Sequence, residues 1–374
     1  MHLRPFPPRR HRIPSRRFLQ VLLDPLSLSG LVDPSSARST GRDAVAVQVG
    51  DVLDRGDDEL RLLYHFHRLK LGASRAGGAL HILHGNHEIM NAQGDFSYVT
   101  RAGLDEFKRW AFWYRSGVAR MRLYASLDSP RDPFKGIPKS FHGIKEEFWE
   151  GFRARIAALR PSGPIAVRFL AGNQTALSIG ESVFVHGDLL QKHVDHGLEK
   201  INEEVREWIM GLSGGRSPPP CLRGLEGLVW LRKFSRSDCD CSHLEEVLAM
   251  IPGARRMVMG HAIQEQGISE VCGARAIRID VGLSRGCANA LPEVLEVYDG
   301  VKWRILKLDP VQNERWKQDR GRLLWPAAKK ELEGLRILVP ETGPQEVEVK
   351  VFLLRSPSFT ADGIRKRSIA ICSS

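Results

Sequence analysis

The sequence predicts an α/β fold, and two features of the chain before residue 92 indicate this class. The run DAVAVQVG is apolar and strand-like, and it ends at Gly50 directly before Asp51. Residues 59–71 then carry apolar side chains at helical spacing, and a second apolar run ends before the segment GNHE. A strand, a helix and a strand in this order predict a parallel pair. Open α/β sheets bind ligands at the carboxyl edge of such strands.

The composition of the 374 residues is that of an ordinary globular protein, with 42% hydrophobic and 26% charged residues. No apolar run reaches the roughly 18 residues of a membrane-spanning helix, so no membrane span is predicted. The net charge of +11 is concentrated in residues 1–20, which are rich in Arg and free of acids, and in the segment after Pro310. Because no base-reading motif accompanies this charge, no nucleic-acid partner is predicted.

Changes in composition along the chain predict three regions. Residues 1–40 form a basic arm that is predicted to be disordered, and 41–310 form the folded domain, with a helical insert at about 92–165. Residues 311–374 form a C-terminal tail that extends from the domain. The arm also has the character of a transit segment, so the predicted location is the cytoplasm, with the mitochondrion as the alternative.

Three more strand-like runs follow the helical insert. The runs ESVFV, RRMVM and RAIRI end close to His186, His261 and Asp280, the last of which is assigned a structural role. The segment HVDHGLEKINEEVREWIM is predicted to form a helix between the first two runs. The aromatic residues of the insert are attributed mainly to packing on the sheet, although some of them directly follow the GNHE segment and could line a substrate cleft.

The six cysteines do not indicate a disulfide scaffold. Cys239 and Cys241 form a C-x-C pair, but no second pair completes the spacing of a zinc ribbon. Reduced thiols in a cytosolic protein are therefore predicted, with a redox-sensitive pair in a loop as the alternative.

Four side chains with metal-binding atoms follow the ends of separate strand-like runs, namely Asp51, Asn86, His186 and His261. One such residue is usually a hydrogen-bonded core residue, but four in one chain are hard to explain by packing. The set combines oxygen and nitrogen ligands, which suits Mn, Fe or Zn better than Ca or Mg alone. An Asp can bridge two cations, as two-metal hydrolases require. The adjacent His87 carries a proton near neutral pH, so the pattern predicts a metal-dependent hydrolytic site.

The motifs GDVLDRGDDE, HGNHEIMN, VFVHGDLL, MGHAIQE and IDVGLSRG resemble those of the phosphoprotein-phosphatase branch of the calcineurin-like metallophosphoesterases. GDFSYVTRAGLDEF and INEEVREWI are similar to segments of the plant Shewanella-like protein phosphatases, in particular their type-2 group. The resemblance extends over about residues 26–308. It implies an α/β fold of two mixed β-sheets sandwiched between helices, with two divalent metal ions (Mn, Fe or Zn) at the strand ends.

The resemblance also implies the chemistry of individual residues. His87, oriented by Asp54, would protonate the leaving oxygen, while Arg55 and Arg232 would bind the phosphate. For Arg232, a surface position in a turn flanked by Trp is the alternative. Asp188 would either add a carboxylate near the metal or cap a turn. Phosphotyrosine is the implied substrate, and the SAPNYC-type loop of the classical Ser/Thr enzymes is absent.

One departure from the family concerns the metal ligands. Asp51 would bridge the two metals, and Asn86, His186 and His261 would complete the second site. The family's first motif, G-D-x-H-G, supplies an Asp and a His to the other metal, and it is absent here. The basic arm at residues 1–40 stands in place of the family's first strand. The site of the other metal keeps Asp51 alone of its protein ligands, so it is predicted to be severely weakened.

Two explanations of this departure lead to different functions. A replaced first exon of an active enzyme is favoured, because the downstream motifs are intact, over an inactive relative that only binds phosphorylated partners. The predicted function is a metal-dependent protein phosphatase acting on phosphomonoesters of protein, with little or no activity in the chain as written unless another residue supplies the missing ligands. A phosphatase-like binding protein and a dinucleotide polyphosphate hydrolase are the alternatives, and no oligomeric state is predicted.

Overall fold

A computed structural model of the chain describes the residues 44–121, 131–214, 217–236, 238–284, 286–298, 302–308 and 350–354. The strands are β1 (Val45–Gly50), β2 (Ala79–Ile82), β3 (Ala176–Ile179), β4 (Ser182–Val185), β5 (Arg256–Met259), β6 (Ser269–Val271), β7 (Ala276–Arg278), β8 (Glu293–Tyr298), β9 (Lys302–Lys307) and β10 (Lys350–Leu354). The α-helices are α1 (Glu59–Arg75), α2 (Asn86–Gln93), α3 (Arg101–Met121), α4 (Glu146–Leu159), α5 (Gln191–His196), α6 (Leu198–Met210) and α7 (Cys241–Ala249). The predicted basic arm at residues 1–40 lies outside this description.

The described strands form two five-stranded sheets with the orders β2-β1-β10-β8-β9 and β3-β4-β5-β7-β6. β1 and β2 are parallel, as the strand–helix–strand pattern predicts, and β4, β5 and β7 are parallel neighbours in the second sheet. Antiparallel pairs lie at the β3 and β6 edges and between β8 and β9. The fold is therefore a mixed α/β fold, and the carboxyl ends of its parallel strands carry the polar residues singled out above.

Alternate side chains along the strands pack into two different hydrophobic clusters. Val47 on β1 and Phe184 on β4 belong to a cluster built from residues of both sheets. Ala46 and Val183, their neighbours in sequence, face the opposite way and pack in a second cluster with helical residues such as Trp208. Because side chains alternate along a strand, each sheet has one face toward the other sheet and one toward helices.

The C-terminal region differs from its prediction. The sequence predicts that residues 311–374 extend from the domain, but β10 lies between β1 and β8 in the first sheet. The other residues of the predicted tail, 311–349 and 355–374, lie outside the described part of the chain. It pairs antiparallel with β1, from Val45↔Leu354 to Gly50↔Lys350, and parallel with β8. The physical reason is the alternating, β-branched segment VEVKVFLL, which is suited to a strand despite the weak pattern around it.

Two further expectations need correction. The segment predicted as a single helix is divided into α5 and α6 at Gly197, whose φ of 97° cannot continue a right-handed helix. The thiols predicted to be reduced include Cys241 and Cys272, which form a disulfide across a sequence separation of 31 residues. Local spacing could not reveal this pair, because Cys272 lies in the turn between β6 and β7. No helix in the described part of the chain combines the length and apolar character that crossing a bilayer requires.

Candidate active site

The ends of four strands bring the predicted metal ligands together. Asp51 follows β1, Asn86 begins α2 after β2, His186 follows β4, and His261 lies shortly after β5. Ligand atoms of Asp51, His186 and His261 all lie within 4.8 Å of one another, and all three residues are buried. The Nε2 atom of His186 lies 2.9 Å from Asn86 Oδ1 and 3.3 Å from Asp51 Oδ2. The four residues thus form one cluster of oxygen and nitrogen atoms.

The donor and acceptor pattern of this cluster fits a cation. His186 Nδ1 lies 2.8 Å from the carbonyl oxygen of Val49, which can only accept a hydrogen bond, so the proton of the neutral ring belongs on Nδ1. Nε2 then offers a lone pair toward two oxygen atoms that are themselves acceptors. Asp51 Oδ2 is buried and has no hydrogen-bond partner among the described residues. A cation between these lone pairs resolves the conflict, and a metal-binding His commonly donates its other N–H to a backbone carbonyl.

Two glycines allow the strand ends to approach this closely. A Cβ on Gly50 would lie 2.5 Å from the backbone nitrogen of Gly85, and φ of Gly50 is +101°. A Cβ on Gly85 would lie 2.0 Å from Asp51 Oδ1. Since real Cβ atoms do not make such contacts, any larger residue at either position would displace the Asp51 carboxylate or its loop.

Glu88 holds together the loop that follows β1 and the loop that follows β2. The sequence did not predict this role. The buried carboxylate of Glu88 accepts hydrogen bonds of 2.7 to 3.0 Å from the backbone N–H groups of Asp51, Val52, Leu53 and Gly85. Burial and the charge of Asp51 raise the pKa of Glu88 to about 7, while these N–H groups oppose that shift. The Glu that follows Asn-His in the GNHE segment was therefore the feature of the sequence that could have indicated this link, or clamp, between the two loops.

His87 and Asp54 form a buried pair beside the metal cluster. His87 Nδ1 lies 2.6 Å from Asp54 Oδ2, and its backbone N–H donates to Asp51 Oδ1 at 3.2 Å. Burial favours the neutral imidazole, but the carboxylates of Asp51 and Asp54 outweigh it and raise the pKa of His87. Burial also opposes ionisation of Asp54, yet the hydrogen bond and charge of His87 lower the pKa of Asp54. The ring Nε2 has no hydrogen-bond partner among the described residues. The pair can therefore hold a proton on His87 near neutral pH.

A buried arginine that sequence reasoning missed supports this pair from behind. Arg155 on α4 has 0% side-chain exposure and donates to Asp54 Oδ1 at 2.8 Å and to Asn91 Oδ1 at 2.7 Å. Its Nη2 also lies 2.6 Å from a carboxylate oxygen of Glu59. Asn91 in turn donates to Asp54 Oδ1 at 2.9 Å. An Arg on the small-residue face of the helix FRARIAAL was the available signal, because that face packs inward.

The two predicted phosphate-binding arginines contact different neighbours of the cluster. The Arg55 guanidinium lies over the ring of Tyr98, 4.6 Å from its centroid, and the Tyr98 ring centroid lies 5.0 Å from that of His87. Arg232 is partly buried and donates from Nη2 to the carbonyl oxygen of His261 at 3.3 Å. Two cations beside the metal ligands favour an anionic ligand.

The role left open for Asp188 has a structural answer. Asp188 Oδ2 accepts the backbone N–H of Phe234 at 2.7 Å, so this carboxylate caps the turn after Arg232. Burial raises the pKa of Asp188 to about 7. Asp280 accepts the backbone N–H of Gly282 at 3.2 Å, in keeping with the structural role assigned to it. The segment in which the missing G-D-x-H-G motif was expected lies outside the described residues.

Known proteins resemble this chain in sequence and in structure. No protein-family model matches the chain. The chain is 52% identical over 335 residues to Shewanella-like protein phosphatase 2 of Arabidopsis thaliana, covering 89% of this chain and 83% of that protein. A solved structure of a cold-active protein tyrosine phosphatase superimposes with a TM-score of 0.51 at 20% identity, covering 72% of this chain and 68% of that one. A cold-active protein tyrosine phosphatase from a psychrophilic Shewanella species gives 0.50 at 19% identity, covering 78% and 77%. At this identity the structural likeness shows a shared fold.

Proposed function

We propose a reaction for this chain from the premise that it belongs to the family of Shewanella-like protein phosphatases. The family membership confirms the sequence prediction of a protein phosphatase. We propose more specifically that the substrate is a phosphomonoester of protein, that the aryl ester phosphotyrosine is preferred, and that the reaction depends on divalent cations in a calcineurin-like arrangement. The observation that carries this proposal is the buried cluster of Asp51, His186 and His261 with His87 beside it.

The first part of the proposal concerns the cation. Asp51, Asn86, His186 and His261 would hold it. His186 Nε2 faces oxygen atoms of Asn86 and Asp51, and His261 has a ligand atom within 4.8 Å of those of Asp51 and His186. When bound, a cation of the Mn, Fe or Zn type supplies charge to polarise the phosphate and to make a water molecule nucleophilic near neutral pH. Asp51 is the only one of the predicted ligands that would coordinate a second cation, so we propose that this cation binds weakly in this chain.

The second part concerns proton transfer and phosphate binding. His87 donates its proton from Nε2 to the leaving oxygen, and Asp54 holds the opposite nitrogen at 2.6 Å so that the ring keeps its orientation. Arg55 and Arg232 each present a guanidinium group, which matches two phosphate oxygens at once. These roles need no movement of the buried pair, since the Asp54–His87 contact exists before substrate binds.

The preference for an aryl ester rests on two aromatic side chains at the site. Tyr98 is partly buried between Arg55 and His87, and Trp230 is partly buried with its ring centroid 6.2 Å from that of His261. Aromatic side chains pack favourably against a phenyl ring in edge or offset geometry. A phenol, with a pKa of about 10, is also an easier leaving group than a serine alkoxide.

The experiment is a substrate panel on the full chain at a series of Mn²⁺ concentrations. Phosphotyrosine and phosphoserine peptides of the same sequence, p-nitrophenyl phosphate and a dinucleoside polyphosphate are compared. We expect slow hydrolysis that requires Mn²⁺, rises into the millimolar range because the second cation is weakly held, and favours phosphotyrosine. Asp51→Asn should abolish it, whereas Asp95→Asn, which changes an exposed carboxylate, should not.

Each other outcome has a distinct meaning. Binding of the phosphotyrosine peptide without hydrolysis at any Mn²⁺ concentration would replace the proposed enzyme by a binding protein. Preferential cleavage of the dinucleoside polyphosphate would overturn the protein substrate. Full turnover with Mn²⁺ in the low micromolar range would contradict the weak second site, because both cations would then be held tightly.

A further inference from the structure

Three cysteines from two distant segments meet in a cluster that shares no residue with the candidate active site. Cys239 lies in the loop before α7, Cys241 is the first residue of α7, and Cys272 directly follows β6. Cys241 and Cys272 form the disulfide, and Cys239 Sγ lies 3.5 Å from Cys272 Sγ. All three sulfur atoms lie within 4.8 Å of one another. Cys272 thus joins the two cysteines of the C-x-C pattern from another part of the chain.

We propose that, when the disulfide is reduced, these three sulfur atoms bind one thiophilic divalent cation of the Zn²⁺ class. Tetrahedral Zn–S bonds of about 2.3 Å place neighbouring sulfur atoms about 3.8 Å apart. The separation of Cys239 and Cys272 is already close to that value. Only Cys241 has to move away from Cys272, and its exposed position at the start of α7 leaves its side chain room to do so.

The surroundings of the cluster favour a cation over free thiolates. Burial, followed by the negative charge of Asp188, raises the pKa of the Cys239 thiol. The carboxylates of Asp238 and Asp240 act on Cys239 in the same direction, and the guanidinium of Arg278 only partly compensates. A cation placed among the sulfur atoms is stabilised by the same carboxylates. Because it displaces thiol protons, its affinity should rise with pH.

The remaining coordination position is open to solvent. Asp240 is occupied as the cap of α7, where its Oδ1 accepts the backbone N–H groups of Ser242 and His243 at 3.1 Å. Cys241 is exposed, so water reaches the cluster from its side. Three protein sulfur ligands and one water make a complete tetrahedral site for Zn²⁺.

The disulfide and the cation exclude each other. Opening the Cys241–Cys272 bond takes two electrons and two protons from a dithiol, which itself becomes a disulfide. The cation then binds the three sulfur atoms, and protons leave as the thiols become thiolates. Reoxidation by a second disulfide, which takes two electrons and, with two protons from solvent, becomes a dithiol, forms the S–S bond again. The cation is then released, because two of its three ligands are consumed.

The test is a titration of the full chain with Cd²⁺, whose thiolate complexes absorb in the ultraviolet by charge transfer. The protein is reduced with a phosphine, desalted without oxygen and compared with protein kept oxidised. We expect the reduced chain to gain the absorption band with one equivalent of Cd²⁺ and the oxidised chain to show none. Zn²⁺ added in excess should remove the band by competition. Cations at the candidate active site do not contribute, because its ligands contain no sulfur.

Cysteine variants assign the band to the cluster. Cys239→Ser and Cys272→Ser should each weaken Cd²⁺ binding by more than about tenfold, whereas Cys221→Ser, a free thiol outside the cluster, should not. Cys239→Ser leaves the disulfide residues in place, so it remains informative even if Cys272→Ser does not fold. Absence of the band in the reduced chain, or its persistence in Cys239→Ser, overturns the proposal.

Discussion

Asp54 receives hydrogen bonds from three different side chains, and this sets the behaviour of the histidine next to it. Its Oδ2 faces His87 at 2.6 Å, while its Oδ1 accepts from Asn91 and from Arg155. A carboxylate with three donors stays ionised, and its charge favours the protonated form of the facing imidazole. The resemblance to the family implied the Asp54–His87 pair before the structure showed the contact. The supporting Asn91 and Arg155 could not be predicted, because they depend on how helices α2 and α4 pack.

The first prediction concerns Asp54→Asn. Since the Asp54 charge helps to raise the pKa of His87, the variant should lower that pKa. Activity that needs a protonated His87 is present below its pKa and is lost as pH rises through it. In the variant, this loss should therefore begin at lower pH, by about one pH unit or more. The measurement is the pH profile of kcat/KM with a phosphoserine peptide, whose alkoxide leaving group needs a proton, and Asp95→Asn is the matched control. An unchanged high-pH limb would contradict the proposed pairing.

The second prediction concerns His87→Ala. Loss of a general acid typically costs a factor of about 10² to 10⁴ in rate. The loss should be larger for a phosphoserine peptide than for p-nitrophenyl phosphate, because the nitrophenolate leaves without needing a proton. The measurement is kcat for both substrates in the variant and in His142→Ala, which changes an exposed histidine. Equal losses for both substrates would show that His87 acts on binding or structure instead.

At the scale of elements, the sequence predicted best where one local pattern determines one element. The unit β1–α1–β2 was predicted with its parallel pairing, because alternation, helical spacing and glycine breaks agree there. Prediction was poorest where an element depends on a distant partner. The clamp at Glu88 and the ion pair between Arg155 on α4 and Glu59 on α1 are examples, since the groups that each residue contacts come from a distant segment of the chain.

The third prediction tests that link between α4 and α1. Arg155→Met leaves the carboxylates of Asp54 and Glu59 buried without their shared cation, so the free energy of unfolding should fall by about 3–5 kcal/mol. Arg153→Met, two positions away on α4, removes a partly buried arginine that donates to carbonyl groups at 3.4 Å and should cost much less. Urea unfolding measures both. Adding Glu59→Gln to Arg155→Met should restore part of the loss, and failure to do so would contradict the assigned ion pair.

The fourth prediction concerns the contact between α3 and the start of α1. Glu106 on α3 accepts the backbone N–H groups of Leu60 and Arg61, and burial raises its pKa to about 8 from 4.5. Between these pH values the folded protein keeps a proton that the unfolded chain has released, so stability falls as pH rises. Glu106→Gln should flatten this fall by up to about 1.4 kcal/mol per pH unit. The exposed Glu147→Gln is the control, and an unchanged slope in Glu106→Gln would contradict the shift.

At the scale of the whole molecule, the first sheet depends on a strand from the far end of the chain. β10 lies between β1 and β8, so it joins the pair that carries Asp51 to the pair β8–β9. Local pattern could not predict this, because antiparallel pairing of β10 with β1 brings together residues about 300 positions apart, at a large cost in chain entropy. Without β10, β1 and β8 would each present an unpaired edge at the centre of the sheet.

The fifth prediction follows from that position. A chain ending at Leu308 lacks β10 and should lose stability and associate through its exposed edges, whereas a chain ending at Pro357 retains β10 and should behave like the full chain. Val351→Pro in the full chain disturbs the pairing of β10 without shortening the chain, so it distinguishes the two effects. Residue 351 pairs with Gln48 on β1, and a proline in a central strand removes a ladder hydrogen bond and clashes with its neighbours, at a cost of about 3 kcal/mol. Urea unfolding and size-exclusion chromatography measure both effects. If the chain ending at Leu308 and Val351→Pro were as stable and as monodisperse as the full chain, β10 would not hold the two halves of the sheet together, and Asp51 would have to be positioned by β2 and the Glu88 clamp alone.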